Sequence, residues 1–465
     1  MMLNKIQAFI DAHEQEMLED AMELIRINSE RMPAQPGMPF GEGNAKVLAK
    51  GMEILEKRGF AAKNYDNYVV TADLNDKPSR LDVLAHLDVV PAGEGFTVCE
   101  PFAPVVKDGK LYGRGSADDK GPAVAALYAM MAVRELGAEL SGNCRLIWGS
   151  DEECGSSDIR YYYGIEKHAP MTVSPDADFP LIHIEKGSLG MRFAAKTNAT
   201  EGVRLVYSQV GTKRNVVPGK AAVVIAGMEF AQLNAVAQTA AERTGTQAVL
   251  TEQENGIQVL FVGESCHAAS PEKGNNALTA MLSFLGDVPF ADAKQKKLFE
   301  NLTKLYPHGD YYGKALNVAH EDESGRLTLC LTIFAYDGET VCAEFDSRVP
   351  VCGTKENTLD VIWAQMVEAG FTPEPCGMNP AHYVPKDSEF VKTLLSCYKD
   401  VTGIDGEPIA IGGGTYVHHI ENGVAFGCAD PAVDNRMHGA DEFMSVEQMK
   451  KSAAIYAMAI LKLCK

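Results

Sequence analysis

Two adjacent glutamates, Glu152 and Glu153, have the residue types and spacing that most directly suggest chemistry in this chain. They stand a few residues after an apolar run at 144–148. Adjacent side chains point in different directions, so one carboxylate can bind a metal while its neighbour accepts a proton from activated water. An isolated acidic stretch is more typical of a solvated turn. The metal interpretation therefore depends on the other ligand types that the chain offers.

Five residues in separate segments are candidate metal ligands: His86, Asp118, Glu153, Asp176 and His438. Taken alone, each has an ordinary structural interpretation, such as a helix cap for Asp118 or a turn for Asp176. Imidazole and carboxylate ligands together suit zinc, and also manganese or cobalt. Two metals about 3.5–4 Å apart need a bridging carboxylate and ligands from separate loops. The sequence therefore favours a site for two divalent metal ions.

The elements that must position these residues alternate between strand and helix. Residues 81–88 form an apolar run typical of a buried strand, with His86 and Asp88 at its C-terminal end. The run at 144–148 predicts another buried strand, and residues 122–136 predict a helix between the two. This alternation indicates an α/β domain with a mixed, largely parallel sheet. In such sheets the ligand crevice lies outside the carboxyl ends of the strands, where the acidic pair also falls.

The pattern of the sequence changes within residues 186–385. Short strand-like runs and helical stretches are mixed there, which predicts an inserted α+β domain. The helical pattern then resumes, and a capping-box pattern beginning at Ser445 predicts a closing helix over 445–463. The catalytic domain would thus be discontinuous, formed by residues 1–185 together with residues 386–465.

The composition favours a soluble protein over one that binds nucleic acid or membranes. The 465 residues carry a formal net charge of −20, which opposes binding to nucleic acid or anionic membrane surfaces. The longest apolar stretch, residues 123–133, is too short to span a bilayer. The N-terminal region predicts one amphipathic helix over 6–27 and lacks the features of a signal peptide. Eleven cysteines without a Cys-x-x-Cys pair favour reduced thiols and a cytoplasmic location.

Four segments together resemble the signatures of one metallopeptidase family, which includes aminoacylases, carboxypeptidase G and bacterial dipeptidases. They match in order and spacing, and they are His86-Leu-Asp88, Gly113-Arg-Gly-Ser-Ala-Asp118, Asp151-Glu-Glu153 and His438-Gly-Ala-Asp-Glu442. The likeness spans nearly the whole chain, and the long insert favours the bacterial dipeptidase branch. It implies a zinc-dependent dipeptidase that hydrolyses short peptides with a free C-terminus. It also implies that the inserted domain acts as a lid.

The resemblance assigns a role to each candidate ligand. Asp118 would bridge two divalent ions. His86 and Asp176 would complete the ligands of one ion. Glu153 and His438 would complete the ligands of the other.

The resemblance also implies a catalytic set around these ligands. Asp88 would hydrogen-bond the ligand histidine of its own motif and fix the orientation of that ring. Glu152 would be the general base. His267, which lies in the insert, would stabilise the oxyanion of the tetrahedral intermediate. The peptide bond between Asp118 and Asp119 would be cis.

A peptidase limited to short substrates must recognise a free terminus of the peptide. A planar, bidentate donor suits a carboxylate best, and Arg348 in the insert is the candidate. Asn215 could add an amide donor, and the glycine-rich segment containing Gly413, Gly414 and Thr415 offers backbone N–H groups. The resemblance supports all of these as substrate contacts. Without the resemblance, a surface ion pair, a turn and a flexible loop would be the more ordinary interpretations of these residues.

Two alternatives stay open at the level of sequence. An N-acyl amino-acid deacylase or desuccinylase of the same family would use the same metal chemistry, so the metal site does not separate it from a dipeptidase. A non-catalytic metal-binding homologue would be expected to have lost a ligand or Glu152, and none is missing. The resemblance further implies that the enlarged insert closes over its own chain, so that each chain would supply its own His267 and the protein would be a monomer that acts on a small peptide.

Overall fold

The computed structural model describes residues 2–465 of the chain. Its helices are α1 Met2–Ala12, α2 Glu14–Ile25, α3 Glu42–Lys57, α4 Lys120–Glu135, α5 Ser157–Tyr163, α6 Phe230–Thr244, α7 Ala277–Asp287, α8 Ala293–Leu305, α9 Asp360–Glu368, α10 Glu389–Thr402 and α11 Val446–Leu463. None of the helices within residues 2–465 combines the length and apolar character needed to cross a membrane.

The strands are β1 Ala62–Tyr65, β2 Val69–Asp73, β3 Ser79–His86, β4 Val105–Lys107, β5 Lys110–Tyr112, β6 Asn143–Gly149, β7 Met171–Ser174, β8 Ile182–Glu185, β9 Gly187–Lys196, β10 Arg204–Val210, β11 Val216–Val217, β12 Lys220–Ala226, β13 Gln247–Gln253, β14 Gly256–Val262, β15 Cys266–His267, β16 Glu321–Asp322, β17 Gly325–Arg326, β18 Thr328–Tyr336, β19 Thr340–Val349, β20 Thr372–Pro373, β21 Met378–Asn379, β22 His382–Tyr383, β23 Ile409–Ile411, β24 Gly423–Ala425 and β25 Phe443–Ser445. Glu152–Cys154 and Tyr416–His419 are short 3₁₀ turns.

The N-terminal region forms two helices, so the single helix predicted over 6–27 is wrong. The chain leaves helical geometry at His13, which has φ −109° and ψ 13°. The ring nitrogen Nδ1 of His13 bonds to the carbonyl oxygen of Phe9 at 2.8 Å. The side chain thus competes with the backbone for a helical acceptor, which is a known cause of helix bends.

The chain forms two compact units. The first unit contains the residues up to Ile184 together with Tyr383–Ile409 and Gly414–Lys465. The second unit contains Glu185–His382 and the short segment Ala410–Gly413. Each unit has its own buried apolar core.

The first unit is built on a mixed sheet with a parallel centre. Its strands lie in the order β1-β2-β6-β3-β7-β24-β8. The four central strands β6, β3, β7 and β24 are parallel to their neighbours within that group, and antiparallel strands flank them on both sides. The predicted α/β fold with a mixed sheet containing parallel strands is therefore confirmed. Because parallel neighbours end at the same edge, the carboxyl ends of β6, β3 and β7 meet there.

Side chains cover both faces of this sheet. Val83 and Ala85 of β3 pack in the main core with helices α1 to α4, α10 and α11. Leu84, between them, faces the opposite side and packs in a smaller core with Tyr162 of α5. Helix α4 is buried from Lys120 to Val133, as expected for a helix that is apolar on all sides. The loops that leave the carboxyl edge therefore start from a sheet that is covered on both faces.

The second unit is α+β, as predicted. Its main sheet has the strand order β13-β14-β12-β10-β18-β19-β9-β20, and the neighbouring pairs are antiparallel. Helices α6 to α9 contribute to the core against this sheet. A separate two-stranded ribbon pairs β11 with β15 and carries His267 at its end.

Candidate metal centre

The parallel strands bring three predicted site segments to one edge of the first unit. His86 is the last residue of β3, and Asp176 follows the end of β7 by two residues. The acidic pair Glu152 and Glu153 begins the 3₁₀ turn that follows β6. Because β3 is paired in parallel with both β6 and β7, these segments leave the sheet side by side. The sheet topology alone therefore gathers one imidazole and three carboxylates.

Asp118 reaches the same edge from the loop that precedes helix α4. The peptide bond between Asp118 and Asp119 is cis, which confirms the prediction for this bond. The Asp119 carboxylate is buried, and its Oδ2 accepts the backbone N–H of His86 at 3.1 Å. This hydrogen bond ties the start of α4 to the end of β3.

The two oxygens of Asp118 face two different histidines. Oδ1 lies 2.9 Å from Nε2 of His86, which is also 3.6 Å from Oδ2 of Asp176. Oδ2 lies 2.9 Å from Nε2 of His438, which is 3.2 Å from Oε1 of Glu153. Each set of three residues offers ligand atoms within 4.8 Å of one another. The structure thus brings all five predicted ligands into two groups that share one aspartate.

The orientation of His86 suits a metal ligand. Its Nδ1 donates to the backbone carbonyl oxygen of Asp88 at 3.1 Å, so a neutral ring has its lone pair on Nε2. That Nε2 is buried and faces carboxylate oxygens, with Oδ1 of Asp118 at 2.9 Å and Oδ2 of Asp176 at 3.6 Å. Oε1 of Glu153 is also buried, and it faces Nε2 of His438 at 3.2 Å. Buried acceptors that face one another need a cation or protons, so the residues present fit divalent metal ions.

The site holds protons tightly when it holds no cation. Hydrogen bonding to Asp118 and Glu153 raises the pKa of His438 to about 10. Burial and the neighbouring charge of Asp118 raise the pKa of Asp176 to about 6. Burial would raise the pKa of Asp118 too, but the imidazoles of His438 and His86 hold it well below its usual range. A metal ion must therefore displace protons from this site.

Asp88 holds the turn that carries the acidic pair. Its Oδ1 accepts the backbone N–H of Glu152 at 3.2 Å, and its Oδ2 accepts that of Glu153 at 3.1 Å. The same carboxylate lies 3.4 Å from Nδ1 of His86, while the backbone oxygen of Asp88 makes the shorter hydrogen bond to that ring. Asp88 thus fixes both the histidine ring and the position of the two glutamates.

Glu152 is the carboxylate of the pair that has no place in either ligand group. Burial raises the pKa of Glu152 well above its ordinary value, and the charges of Asp176, Glu153 and Asp88 add to this effect. A carboxylate with a raised pKa accepts a proton more readily near neutral pH. Glu152 is thus a buried carboxylate with a raised pKa, adjacent in sequence to the ligand candidate Glu153.

The second unit gathers several of the predicted substrate contacts in one cluster. Nδ1 of His267 accepts the backbone N–H of Ala269 at 3.1 Å, so a neutral ring carries its proton on Nε2. The carbonyl oxygen of Asn215 accepts the N–H of Ala268 at 2.9 Å. A Cβ built on Gly412 would lie 3.2 Å from the Cβ of Ala269. The ribbon that bears His267 therefore lies beside the start of the glycine-rich segment.

Arg348 belongs to the same cluster of the second unit. Its Nε donates to Oδ1 of Asp346 at 3.0 Å, and its Nη1 donates to the carbonyl oxygen of Gly412 at 2.8 Å. The guanidinium is held in a fixed plane by these contacts. An arginine has five N–H donors, so the pairing with Asp346 does not exhaust its capacity to bind an anion.

The remaining candidates lie where the chain passes from one unit to the other. Gly413 ends the short segment of the second unit, and Gly414 and Thr415 belong to the first unit. Gly413 and Gly414 are exposed, which leaves their backbone open to a ligand. Thr415 caps the turn Tyr416–His419 by accepting the N–H of Val417 at 3.3 Å.

Glu442 is a residue of the site that the sequence reasoning missed, although it ends one of the quoted segments. Its carboxylate is fully buried and pairs with Arg114 at 2.6 Å. It also accepts backbone N–H groups of the loop before α4, from Gly115, Ala117 and Asp118, at 2.9 to 3.2 Å. Glu442 thus connects the loop that carries Asp118 to the segment that carries His438. The acidic residues that end the segment 438–442 are the sequence feature that could have indicated this role.

Arg31 is a second missed residue. Its Nη1 donates to Oδ1 of Asp151 at 2.5 Å and to the carbonyl oxygen of Cys154 at 3.2 Å. These contacts clamp both ends of the turn that carries the acidic pair. No local pattern around Arg31 marks it, because its partners are distant in sequence.

The comparisons with known proteins agree with this arrangement. The family model described as peptidase family M20/M25/M40 matches residues 83–462, and the chain belongs to that family. It is 35% identical over 460 residues to a Bacillus subtilis protein named "Putative dipeptidase YtjP", covering 97% of this chain and 98% of the relative. It is 31% identical to the "Beta-Ala-Xaa dipeptidase" of Lactobacillus delbrueckii subsp. lactis, covering 98% and 97%.

Solved structures share the fold at lower sequence identity. Human carnosine dipeptidase 1 aligns with a TM-score of 0.59 at 15% identity, covering 100% of this chain and 99% of that one. Aminoacylhistidine dipeptidase from Vibrio alginolyticus aligns with a TM-score of 0.56 at 14% identity, covering 97% and 96%. At these identities the structural likeness shows only the fold. The assignment of the chain as a peptidase comes from its family membership.

Proposed function

We propose that this protein is a dipeptidase that hydrolyses the peptide bond of short peptides with a free C-terminus. The observation that carries the proposal is the division of the two Asp118 oxygens between two ligand groups, beside an acidic residue that belongs to neither. Family membership and the printed names of the relatives support a peptide substrate and a dipeptidase activity.

Two divalent ions, zinc first with manganese or cobalt as alternatives, would bind in the two groups. His86, Asp118 and Asp176 would hold one ion. Asp118, Glu153 and His438 would hold the other. When bound, two such ions supply Lewis acidity and lower the pKa of coordinated water from about 15.7 towards 7.

Glu152 would move the proton in this reaction. It lies beside both ligand groups without being part of either, and burial raises its pKa well above the ordinary value. We propose that it accepts the proton of the attacking water and then passes it to the amine of the leaving amino acid. Asp88 would keep Glu152 in place through the hydrogen bond to its backbone N–H.

His267 would stabilise the negative oxygen that develops on the scissile carbonyl. The hydrogen bond from Ala269 to Nδ1 favours a proton on Nε2, which is the form that donates to an oxyanion. Arg348 would bind the free carboxylate of the substrate, with Asp346 and Gly412 holding the guanidinium in its plane.

Further contacts to the substrate would come from polar groups near the glycine-rich segment. Asn215 would contribute an amide donor, and Gly413, Gly414 and Thr415 would contribute backbone N–H groups. The exposure of both glycines supports this assignment.

The domain roles are also part of the proposal. Residues 1–185 and 386–465 would form the catalytic domain, and residues 186–385 would form a lid that limits the length of the peptide. A single chain would supply all the residues named above. The cytoplasmic location inferred from the cysteines stays a prediction.

The proposal is tested by metal analysis coupled to a substrate panel. The zinc-loaded protein should hydrolyse unblocked dipeptides and leave N-acetyl and N-succinyl amino acids largely intact. Preferential hydrolysis of the acylated amino acids would support the deacylase alternative. Metal binding without hydrolysis of either class would support a non-catalytic homologue.

A further inference from the structure

Tyr416 stands directly after the glycine-rich segment and is buried in the first unit, with 2% of its surface exposed. Its hydroxyl donates to Oδ2 of Asp158 at 2.5 Å. Its ring meets the ring of His86 edge to face, with centroids 6.1 Å apart. One side chain thus contacts a candidate metal ligand and a buried carboxylate that has no place in the proposed reaction.

Asp158 holds the backbone of the turn that leads to the acidic pair. The oxygen that accepts from Tyr416 also accepts the N–H of Ser150 at 2.6 Å and that of Asp151 at 2.9 Å. Its other oxygen accepts the N–H of Ile159 at 2.7 Å. Ser150 and Asp151 are the two residues immediately before Glu152. The backbone that leads to Glu152 is therefore fixed by a fully buried carboxylate.

Gly149, the last residue of β6, shows how closely Tyr416 is fitted to this turn. A Cβ built there would lie 2.1 Å from the hydroxyl oxygen of Tyr416 and 2.4 Å from Oδ2 of Asp158. Neither distance is tolerable for a real side chain, so this position requires glycine. The close approach places the tyrosine hydroxyl against the end of the strand from which the turn emerges.

We propose that Tyr416 is a positioning residue for the general base. Through Asp158 it fixes the turn that carries Glu152, and through its ring it supports the orientation of His86. The role given to Glu152 rests on the proposed function. Tyr416 also follows the segment assigned to substrate binding, so one anchor serves both the substrate contacts and the base. A displacement of the base by about 1 Å can lower a rate by about 100-fold.

The anchor is tested first without reference to activity, by hydrogen exchange of the full-length protein. Tyr416→Phe removes the hydroxyl and keeps the ring. Exchange in a peptide covering residues 149–156 should become about tenfold faster, because a buried hydrogen bond to Asp158 is lost. The matched control is Tyr128→Phe, which removes another buried tyrosine hydroxyl that donates to a buried aspartate, Asp20, at 2.8 Å.

The exchange results decide the proposal in either direction. Faster exchange confined to residues 149–156 in Tyr416→Phe, and absent there in Tyr128→Phe, supports the anchor. Unchanged exchange, or an increase spread over the whole first unit, overturns it. If Tyr416→Phe does not fold, the same exchange measurement is made on Asp158→Asn, which changes the acceptor of the same hydrogen bond.

Kinetics with a dipeptide then test the effect on the base. In Tyr416→Phe we expect kcat to fall about 10- to 100-fold, KM to change little, and the bound zinc to stay the same. Asp158→Asn should have a similar effect, and the double variant should be no worse than either alone. If the two substitutions lower kcat by factors that multiply in the double variant, the positioning role is overturned. A loss of zinc that accounts for the loss of kcat would overturn it too. Wild-type protein that hydrolyses no dipeptide would instead defeat the proposed function, while the exchange experiment still decides the anchor.

Discussion

Asp118 is the residue on which the proposed chemistry depends, because its two oxygens face two different imidazoles at 2.9 Å. A single carboxylate shared in this way brings two cations close together without a second bridging side chain. Around this point the buried imidazole nitrogens and carboxylate oxygens face one another, so they are satisfied only by shared protons or by a cation. Such a cost is tolerated where a ligand supplies the missing interaction.

Substitution Glu152→Gln tests the proton acceptor at the residue scale. The amide keeps the shape of the side chain but cannot accept a proton, so kcat should fall about 10²- to 10⁴-fold. The zinc content should not change, because Glu152 belongs to neither ligand group. Kinetics and metal analysis of the same preparation measure both quantities. The exposed residue Glu135 supplies a control, Glu135→Gln. Activity close to wild type in Glu152→Gln would remove this residue from the mechanism.

The raised pKa of His438 predicts that metal affinity depends on pH. Hydrogen bonding to Asp118 and Glu153 raises this pKa to about 10, so the imidazole is protonated at neutral pH before a metal binds. A cation must displace that proton, and affinity should rise with pH by up to about tenfold per unit for each proton displaced. Competition with a zinc chelator between about pH 6 and 8 measures the slope. His438→Gln should show a shallower slope, and a flat profile for the wild type would contradict the prediction.

At the scale of elements, the site is an edge of a parallel sheet joined by two loops. Strands β3, β6 and β7 deliver His86, the acidic pair and Asp176 to the same edge. The loops that bring Asp118 and His438 come from opposite ends of the chain. Glu442 joins them, since its carboxylate bonds to the N–H of Asp118 at 3.2 Å.

Glu442→Gln should weaken both the fold and the second ligand group. Arg114 would lose its buried partner, and the free energy of unfolding should fall by about 3–5 kcal/mol. Zinc held by the group containing His438 should be lost before zinc held with His86. Denaturant titration and metal analysis measure the two effects. Asp441→Asn is the comparison, because Asp441 bonds to Thr97 and Val98 and not to the loop of Asp118. Equal loss of both ions in Glu442→Gln would contradict the linkage.

Much of this element-scale arrangement could be predicted from the sequence. The apolar run at 81–88 corresponds to β3, and the closing helix begins after Ser445, whose hydroxyl accepts the N–H of Gln448 at 3.0 Å. Local periodicity and caps carry such information because they depend on neighbours in the chain. The anchors of the site depend on distant partners instead. Tyr416 and Asp158 are separated by 258 residues, and no local pattern marks either of them.

At the scale of the whole molecule, the chain divides into two units that carry different parts of the proposed machinery. The ligand groups and Glu152 belong to the first unit, whereas His267 and Arg348 belong to the second. The sequence pattern distinguished an α/β region from an α+β insert, because periodicity and strand length differ between them. The place of His267 opposite Val216 on the two-stranded ribbon could not be predicted, because it depends on the pairing of β11 with β15.

The proposed lid predicts a monomer. If the second unit closes over the ligand groups of its own chain, gel filtration should give a mass near 50.3 kDa. Light scattering at several protein concentrations measures the mass independently of molecular shape, which also affects the elution volume in gel filtration. A stable mass of twice that value would contradict a lid that acts on its own chain.

The sharing of Asp118 is tested most directly by anomalous diffraction from crystals of the zinc-loaded protein. We predict two zinc peaks per chain, one among His86, Asp118 and Asp176, and one among Asp118, Glu153 and His438. A single peak, or two peaks that do not both contact Asp118, would contradict the proposed centre.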